Sequence, residues 1–415
     1  MNRFLTLITL LLCWIGSCSA QSAITSLMRK AYSKPDRIYQ FYVQHQPDSI
    51  YEAGRSLFSH YFTPAQFAEQ VQMLDQKLGD VKQADLWQHQ KQMQYDIYSR
   101  QLTYAAYTAT LVVGFDEEGN LMAFQLTNEQ PLLAENEREI TIETDGLKLP
   151  GRLSLPSSAV AKSAAVILVH GSGPCDMNES MGAQMPFKDL ADALSKQGIA
   201  VIRYDKRTRV SPTGWMPAGK PGNYDTEAVD DVLAAVRLAQ SLPEIDSSRI
   251  YIVGHSLGAA LAPRITQRCP SVRGIVLMAA PTRKLIPTIE EQLRYLGVSA
   301  DTIALQVSQV KASLPEGYLD FDAQYDPIAT AKKLSLPMLV LQGERDYQVT
   351  QTDFSAWQKA MKGRKNVTLK LYPKLNHLFS QGEGKPSPDE YMQPGHVDSS
   401  VVADIVQFVS SSAQR

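Results

Sequence analysis

The pentapeptide Gly254-His255-Ser256-Leu257-Gly258 restricts this chain more than any other stretch, because of what flanks it. Ahead of it, Arg249-Ile250-Tyr251-Ile252-Val253 is a β-branched and aromatic run that reads as a buried strand. Behind it, Ala259-Ala260-Leu261-Ala262 opens a helix with small residues. A G-x-S-x-G turn between strand and helix is so sharp that its serine takes a strained backbone, while the glycines keep neighbouring side chains away. This pattern reads as a nucleophile elbow with Ser256 at its tip.

A serine needs a base to become a nucleophile, and the base needs an acid to orient it. With an elbow of this kind the partners follow in the order serine, acid, histidine. Of seven histidines, His45, His60 and His89 lie far upstream, and His170 and His255 sit inside other motifs. His377 and His396 remain. His377 follows a predicted strand at 368–372, whose end can deliver an imidazole to the serine, and is preferred to His396 in the loop before the last helix. A second predicted strand at 338–341 runs into Gly343-Glu344-Arg345-Asp346-Tyr347. Asp346 is the expected acid. Glu344 leaves the strand too early, and Asp322 or Asp326 would have to come from an insertion. The rival role for Asp346 is an ion pair with Arg345.

The chemistry also needs a place for negative charge. His170-Gly171-Ser172-Gly173-Pro174 follows a predicted strand at 165–169, and the backbone N–H groups of Ser172 and Leu257 are the expected oxyanion donors. Gly171-Ser172-Gly173 is not a dinucleotide fingerprint, because Asp176 stands at the third glycine position and Pro174 interrupts the loop. No Walker, H-E-x-x-H or C-x-x-C pattern occurs in the sequence, so no cofactor, nucleotide or metal is implied.

Strands alternate with helices from about residue 137 to 415, the mark of a mostly parallel sheet. A hairpin around Asp145-Gly146 opens this region. Between strands 274–278 and 338–341, residues 283–333 form a long insertion with room for two or three helices. It is expected to act as a lid or pocket wall, the alternative being an amphipathic surface helix with no ligand. Trp215 and Met216 are weaker candidates for the same role.

Residues 35–130 have a different pattern: predicted helices at 36–58 and 63–78, then alternating stretches at 93–98, 107–113 and 121–126 around the turn Asp116-Glu117-Glu118-Gly119-Asn120. A small α+β domain is expected there. The first twenty residues read as an export signal: Arg3, an apolar run at 4–15 and a small-residue exit. Cleavage after Ala20 is favoured, and a lipobox at Ile15-Gly16-Ser17-Cys18, leaving a lipid anchor on Cys18, is the alternative. The protein is therefore expected in the periplasm or outside the cell, or as an outer-membrane lipoprotein. No other stretch is expected to span a membrane. Of four cysteines, Cys175 and Cys269 remain after the signal. Cys175 is expected in the loop at the catalytic edge of the sheet and Cys269 near the far end of the helix after Ser256, roughly 20 Å away, too far for a disulfide, so both should be free thiols. A net charge of −2 gives no case for nucleic-acid binding.

From about residue 137 onward the chain resembles the α/β-hydrolases, and among them exported bacterial esterases with a His-Gly-Ser-Gly-Pro loop. The matching segments are His170 to Pro174, Tyr204-Asp205-Lys206-Arg207, the elbow at 254–258, residues 343–349 and Asn376-His377-Leu378-Phe379. Two positions depart from the pattern: Thr208-Arg209-Val210 replaces a glycine-bearing turn, and Cys175 stands where a polar amide is usual. Residues 35–130 resemble NTF2-like modules by pattern alone. The resemblance implies a serine carboxylesterase acting on a small-molecule ester through Ser256, Asp346 and His377, with Asp205-Lys206-Arg207 a structural ion-pair turn. A serine peptidase of the same fold is the enzymatic alternative, and a non-catalytic binding protein the other.

Overall fold

The computed structural model describes residues 35–157 and 162–412. The export signal expected at 1–20, with Cys18 and Ala20, lies outside the described residues. The chain divides into two compact units, one ending at Leu133 and the other beginning at Ala134.

The first unit runs helices α1 (Pro35–Val43), α2 (Pro47–Ala53), α3 (Arg55–Phe58) and α4 (Pro64–Leu78) before its sheet. The single helix expected at 36–58 is thus three. His45 turns into the left-handed region at φ 53 and Pro47 restarts the chain, because proline suits a first helical turn and not an interior. Helix α4 begins where the sequence predicts: Thr63 and Gln66 form a reciprocal capping box ahead of Pro64. Strands β1 (Gln83–Ala84), β2 (Gln88–Gln92), β3 (Tyr95–Thr103), β4 (Tyr107–Phe115) and β5 (Leu121–Pro131) are antiparallel in the order β1-β3-β4-β5, with β2 also on β3. The strand expected at 93–98 starts two residues later. Met93, at φ 54, lies in the turn of a hairpin whose first strand is fully exposed and carries no apolar alternation to reveal it.

The second unit is built on an eight-stranded sheet. Its strands are β6 (Glu137–Thr144), β7 (Leu147–Ser154), β8 (Ser163–Val169), β9 (Ile199–Tyr204), β10 (Ile245–His255), β11 (Gly274–Met278), β12 (Met338–Gly343) and β13 (Val367–Tyr372). They lie in the order β13-β12-β11-β10-β8-β9-β7-β6, parallel from β13 to β9, with β7 and β6 antiparallel at the edge. Strands β8, β9, β11 and β12 are buried along their whole length, as expected when helices cover both faces. Successive residues feed opposite cores. Ala165, Ile167 and Val169 pack into one cluster with Ile250 and Ile252, while Ala164, Val166 and Leu168 pack into the other with Tyr251 and Val253.

The covering helices are α5 (Pro186–Lys196), α6 (Arg207–Val210), α7 (Asp230–Ser241), α8 (Leu257–Arg268), α13 (Gln351–Met361) and α14 (Ser399–Ser412). Helix α7 is entered through a π-helical turn at Asp225–Val229. The insertion holds four helices where two or three are expected: α9 (Leu285–Tyr295), α10 (Ala300–Ser313), α11 (Tyr318–Gln324) and α12 (Pro327–Lys332).

This strand order fixes where chemistry can occur. The chain leaves β8 for β9 on one side and returns to β10 on the other, so a crevice opens beyond the carboxyl ends of β8 and β10. His170 follows β8 directly, and Ser256 follows β10.

Candidate active site

Ser256 sits at φ 53 and ψ −118, a conformation that costs a non-glycine residue about 1–3 kcal/mol. The turn is held by Ser256 N–H donating to the Met278 carbonyl at 2.9 Å and by Ala260 N–H donating to the Ser256 carbonyl at 3.0 Å. Both glycines are required by contact. A Cβ on Gly254 would stand 2.3 Å from the Gly258 carbonyl oxygen, and one on Gly258 2.1 Å from that of Val169. Gly171 approaches from the neighbouring strand end, where a Cβ would lie 3.2 Å from Ser256 Cβ and 3.7 Å from Oγ.

His377 and Asp346 are both buried, and His377 Nδ1 lies 2.7 Å from Asp346 Oδ2. Every other contact of that carboxylate is also with a donor. Oδ1 accepts from the Gln348 and Val349 amides at 2.8 and 2.9 Å, and Oδ2 from Gln342 Nε2 at 3.2 Å. An acceptor so placed puts the imidazole proton on Nδ1 and leaves Nε2 free to take one. Asn376 fixes the histidine loop, its Oδ1 accepting from the Leu378 and Ser380 amides.

The other candidates go elsewhere. His396 is largely exposed and bonds Asp189 at 2.9 Å. Asp326 caps α12 through the Ala329 amide, and Asp322 accepts from Tyr224 and the Leu285 amide. Arg345 pairs with Glu390, so neither Asp346 nor Glu344 serves it. Cys175 and Cys269 are free thiols. Burial pushes the Cys175 thiol up to about 12, which leaves it protonated and a poor nucleophile.

Ser256, His377, Ser172 and Leu257 line one cavity of about 220 Å³. Among the described residues, neither the Ser172 nor the Leu257 amide donates to a protein acceptor, which leaves both open to a ligand oxygen. One stripe of α9 forms the facing wall, with Leu285, Thr288, Ile289 and Gln292 at helical spacing. The insertion is anchored by Tyr325 Oη donating to the Ala260 carbonyl at 2.6 Å, and by Arg283 on Asp353. A second, more open cavity of about 750 Å³ shares Ser172, Leu285 and Ile289 with the first and reaches Trp215. Met216 is exposed and lines neither.

The buried charges around the loop were less legible. Lys206 Nζ donates to the Gly171 carbonyl at 2.9 Å and to Glu227 at 2.5 Å, while Arg207 pairs with Asp231. Within the Asp205-Lys206-Arg207 turn the lysine and arginine are thus ion-paired, Asp205 accepts from the Met177 amide, and the lysine also carries the 170–174 loop. Glu179 lies in a loop, where no periodic pattern could mark it. Among the described residues, no group of side chains is arranged to hold a metal ion.

His170 adds a pH dependence. Burial pushes its imidazole down to about 4, and Nε2 finds no partner. The unfolded chain therefore takes up a proton near the ordinary value of about 6.5 while the folded chain does not. Stability carried by neutral His170 is complete at pH 7 and falls between pH 6.5 and 4. Between those limits, urea unfolding should show wild type losing about 3 kcal/mol more than His170→Gln. Parallel losses in both proteins would remove His170 as the cause.

The Alpha/beta hydrolase family matches residues 166–391, and the chain belongs to that family. Esterase EstD of Thermotoga maritima is 34% identical in an alignment of 401 positions that covers 89% of this chain and 93% of that protein. The acylamino-acid-releasing enzyme of Sus scrofa is 24% identical over 251 residues, 58% of this chain but 32% of that longer enzyme. Among solved structures, an esterase of Pyrococcus furiosus is 17% identical with a TM-score of 0.47, covering 66% of this chain and 90% of its own.

Proposed function

We propose that this protein is a serine carboxylesterase. The observation that carries the reading is the convergence on one cavity of a strained Ser256 and a His377 locked to Asp346. Similarity to Esterase EstD over nearly the whole chain supports the substrate class. His377 takes the Ser256 proton as Oγ attacks the ester carbonyl, and the resulting oxyanion rests on the Ser172 and Leu257 amides. The alcohol leaves with the proton from His377, and water attacks the acyl-enzyme in the same way. Each oxyanion donor contributes about 10²–10³ in rate. A binding protein with a decayed site is disfavoured, because the aspartate–histidine bond is intact. We further propose that residues 1–20 direct export and that the first unit is an NTF2-like module, on the sequence patterns described above.

The test is turnover of p-nitrophenyl esters from acetate to palmitate. A cavity of about 220 Å³ is small beside typical ligand pockets of roughly 300–1,000 Å³, so acetate and butyrate should be the best substrates. Ile289 lines both cavities. Ile289→Ala should therefore raise the octanoate-to-butyrate ratio of kcat/KM about tenfold, the scale of one or two methylenes in an apolar pocket. An unchanged ratio would take Ile289 out of the acyl path, and no turnover of any ester would contradict the substrate class.

A further inference from the structure

Gly171 immediately precedes Ser172, and both of its backbone polar atoms are tied. Its carbonyl accepts from Lys206, and its N–H donates to Glu179 Oε1 at 2.6 Å. Glu179 is buried and lines the Ser256 cavity, with its backbone in the left-handed region at φ 53. A non-glycine residue held there at a conformational cost marks a position that its surroundings over-determine. Its second oxygen, Oε2, faces His255 Nδ1 at 3.0 Å, at ion-pair distance. His255 immediately precedes Ser256, and its Nε2 donates to the His377 carbonyl at 2.8 Å. The two imidazole rings lie 4.6 Å apart.

We infer that Glu179 and His255 are positioning residues: one buried charge pair holds the oxyanion loop through Gly171, the nucleophile turn through His255, and the histidine loop through the His377 carbonyl. The inference rests on the proposed roles of Ser256, His377 and Ser172. Burial opposes charge on both partners, and their mutual attraction outweighs it. The Glu179 carboxyl is held below its usual range and the His255 imidazole above its own. An apolar pair of the same volume would give comparable stability without the desolvation cost. What it could not give is direction. The Glu179 carboxylate accepts from Gly171 N–H with one oxygen and sets its other oxygen against His255 Nδ1, and His255 passes the constraint on through the Nε2–H that it donates to the His377 carbonyl.

The test is the rate of phosphonylation of Ser256 by a fluorophosphonate, alongside kcat and KM for p-nitrophenyl butyrate. Glu179→Gln keeps the shape and an acceptor for Gly171 but removes the charge, which weakens the Gly171 bond, charge-assisted bonds being about twice as strong as neutral ones, and ends the attraction on His255. Labelling rate and kcat should fall about tenfold, with KM within about twofold. Glu179→Ala, which frees the loop, should cost about 10²-fold or more, the scale of a 1 Å misplacement. A purely structural role would lower Tm and leave both rates per folded site unchanged. Folded variants that label within about twofold of wild type would overturn the inference, and if alanine does not fold, glutamine decides alone. The labelling ratio is read whether or not esters are turned over, so failure of the ester reading and failure of the clamp are distinguishable.

Discussion

Replacing Ser256 with alanine should leave the protein folded and lower ester turnover at least about 10⁴-fold. Ser256 joins a strained backbone to a cavity that it shares with a histidine fixed by a buried carboxylate. The nearest rival, Cys175, is kept as a thiol by burial. Alanine bears the same backbone strain as serine and leaves the Met278 and Ala260 hydrogen bonds in place. Tm should therefore move by no more than about 2 °C, because 1 kcal/mol shifts Tm by roughly 2–4 °C in a domain of comparable size. Esterase activity above a hundredth of wild type would remove Ser256 from the mechanism.

The second large effect is at Asp346. Asparagine has the same shape, and the two amides from Gln348 and Val349 oblige its oxygen to take the Oδ1 place. Its NH2 must then face His377 Nδ1 and Gln342 Nε2, where the wild type has an acceptor. A donor at that position forces the histidine proton to Nε2, and an imidazole protonated there cannot take the serine proton. Asp346→Asn should therefore lower kcat about 10⁴-fold while substrate binding is little changed. His396→Ala, on an exposed side chain bonded to Asp189, should leave kcat within about twofold. Activity surviving the Asp346 change and lost with His396 would reverse the assignment.

What could be read from the sequence and what could not divide along physical lines. The elbow was legible because its requirements are local: the contacts that demand Gly254 and Gly258 fall within one turn and the adjacent strand end. Asp346 and His377 were legible because β12 is marked by an apolar run, β13 by apolar–polar alternation, and each residue follows a strand end. Lys206 could be placed in an ion-pair turn, yet its bond to Gly171 depends on β8 and β9 lying side by side. Glu179 left no pattern at all, since a loop residue gains meaning only from what folding brings against it. The exposed strand Gln88–Gln92 and the breaks at His45 and Gly54 were hidden for the opposite reason. There, backbone pairing and single turns decide the structure, with no apolar period to announce them.

The most direct test of the account is to label the protein with a fluorophosphonate and map the modified peptide by mass spectrometry. The arrangement of Ser256, His377 and Asp346 predicts a single stoichiometric adduct on Ser256, with ester turnover falling in proportion to labelling. An adduct elsewhere, or an unlabelled Ser256 in a protein that still cleaves esters, would contradict it.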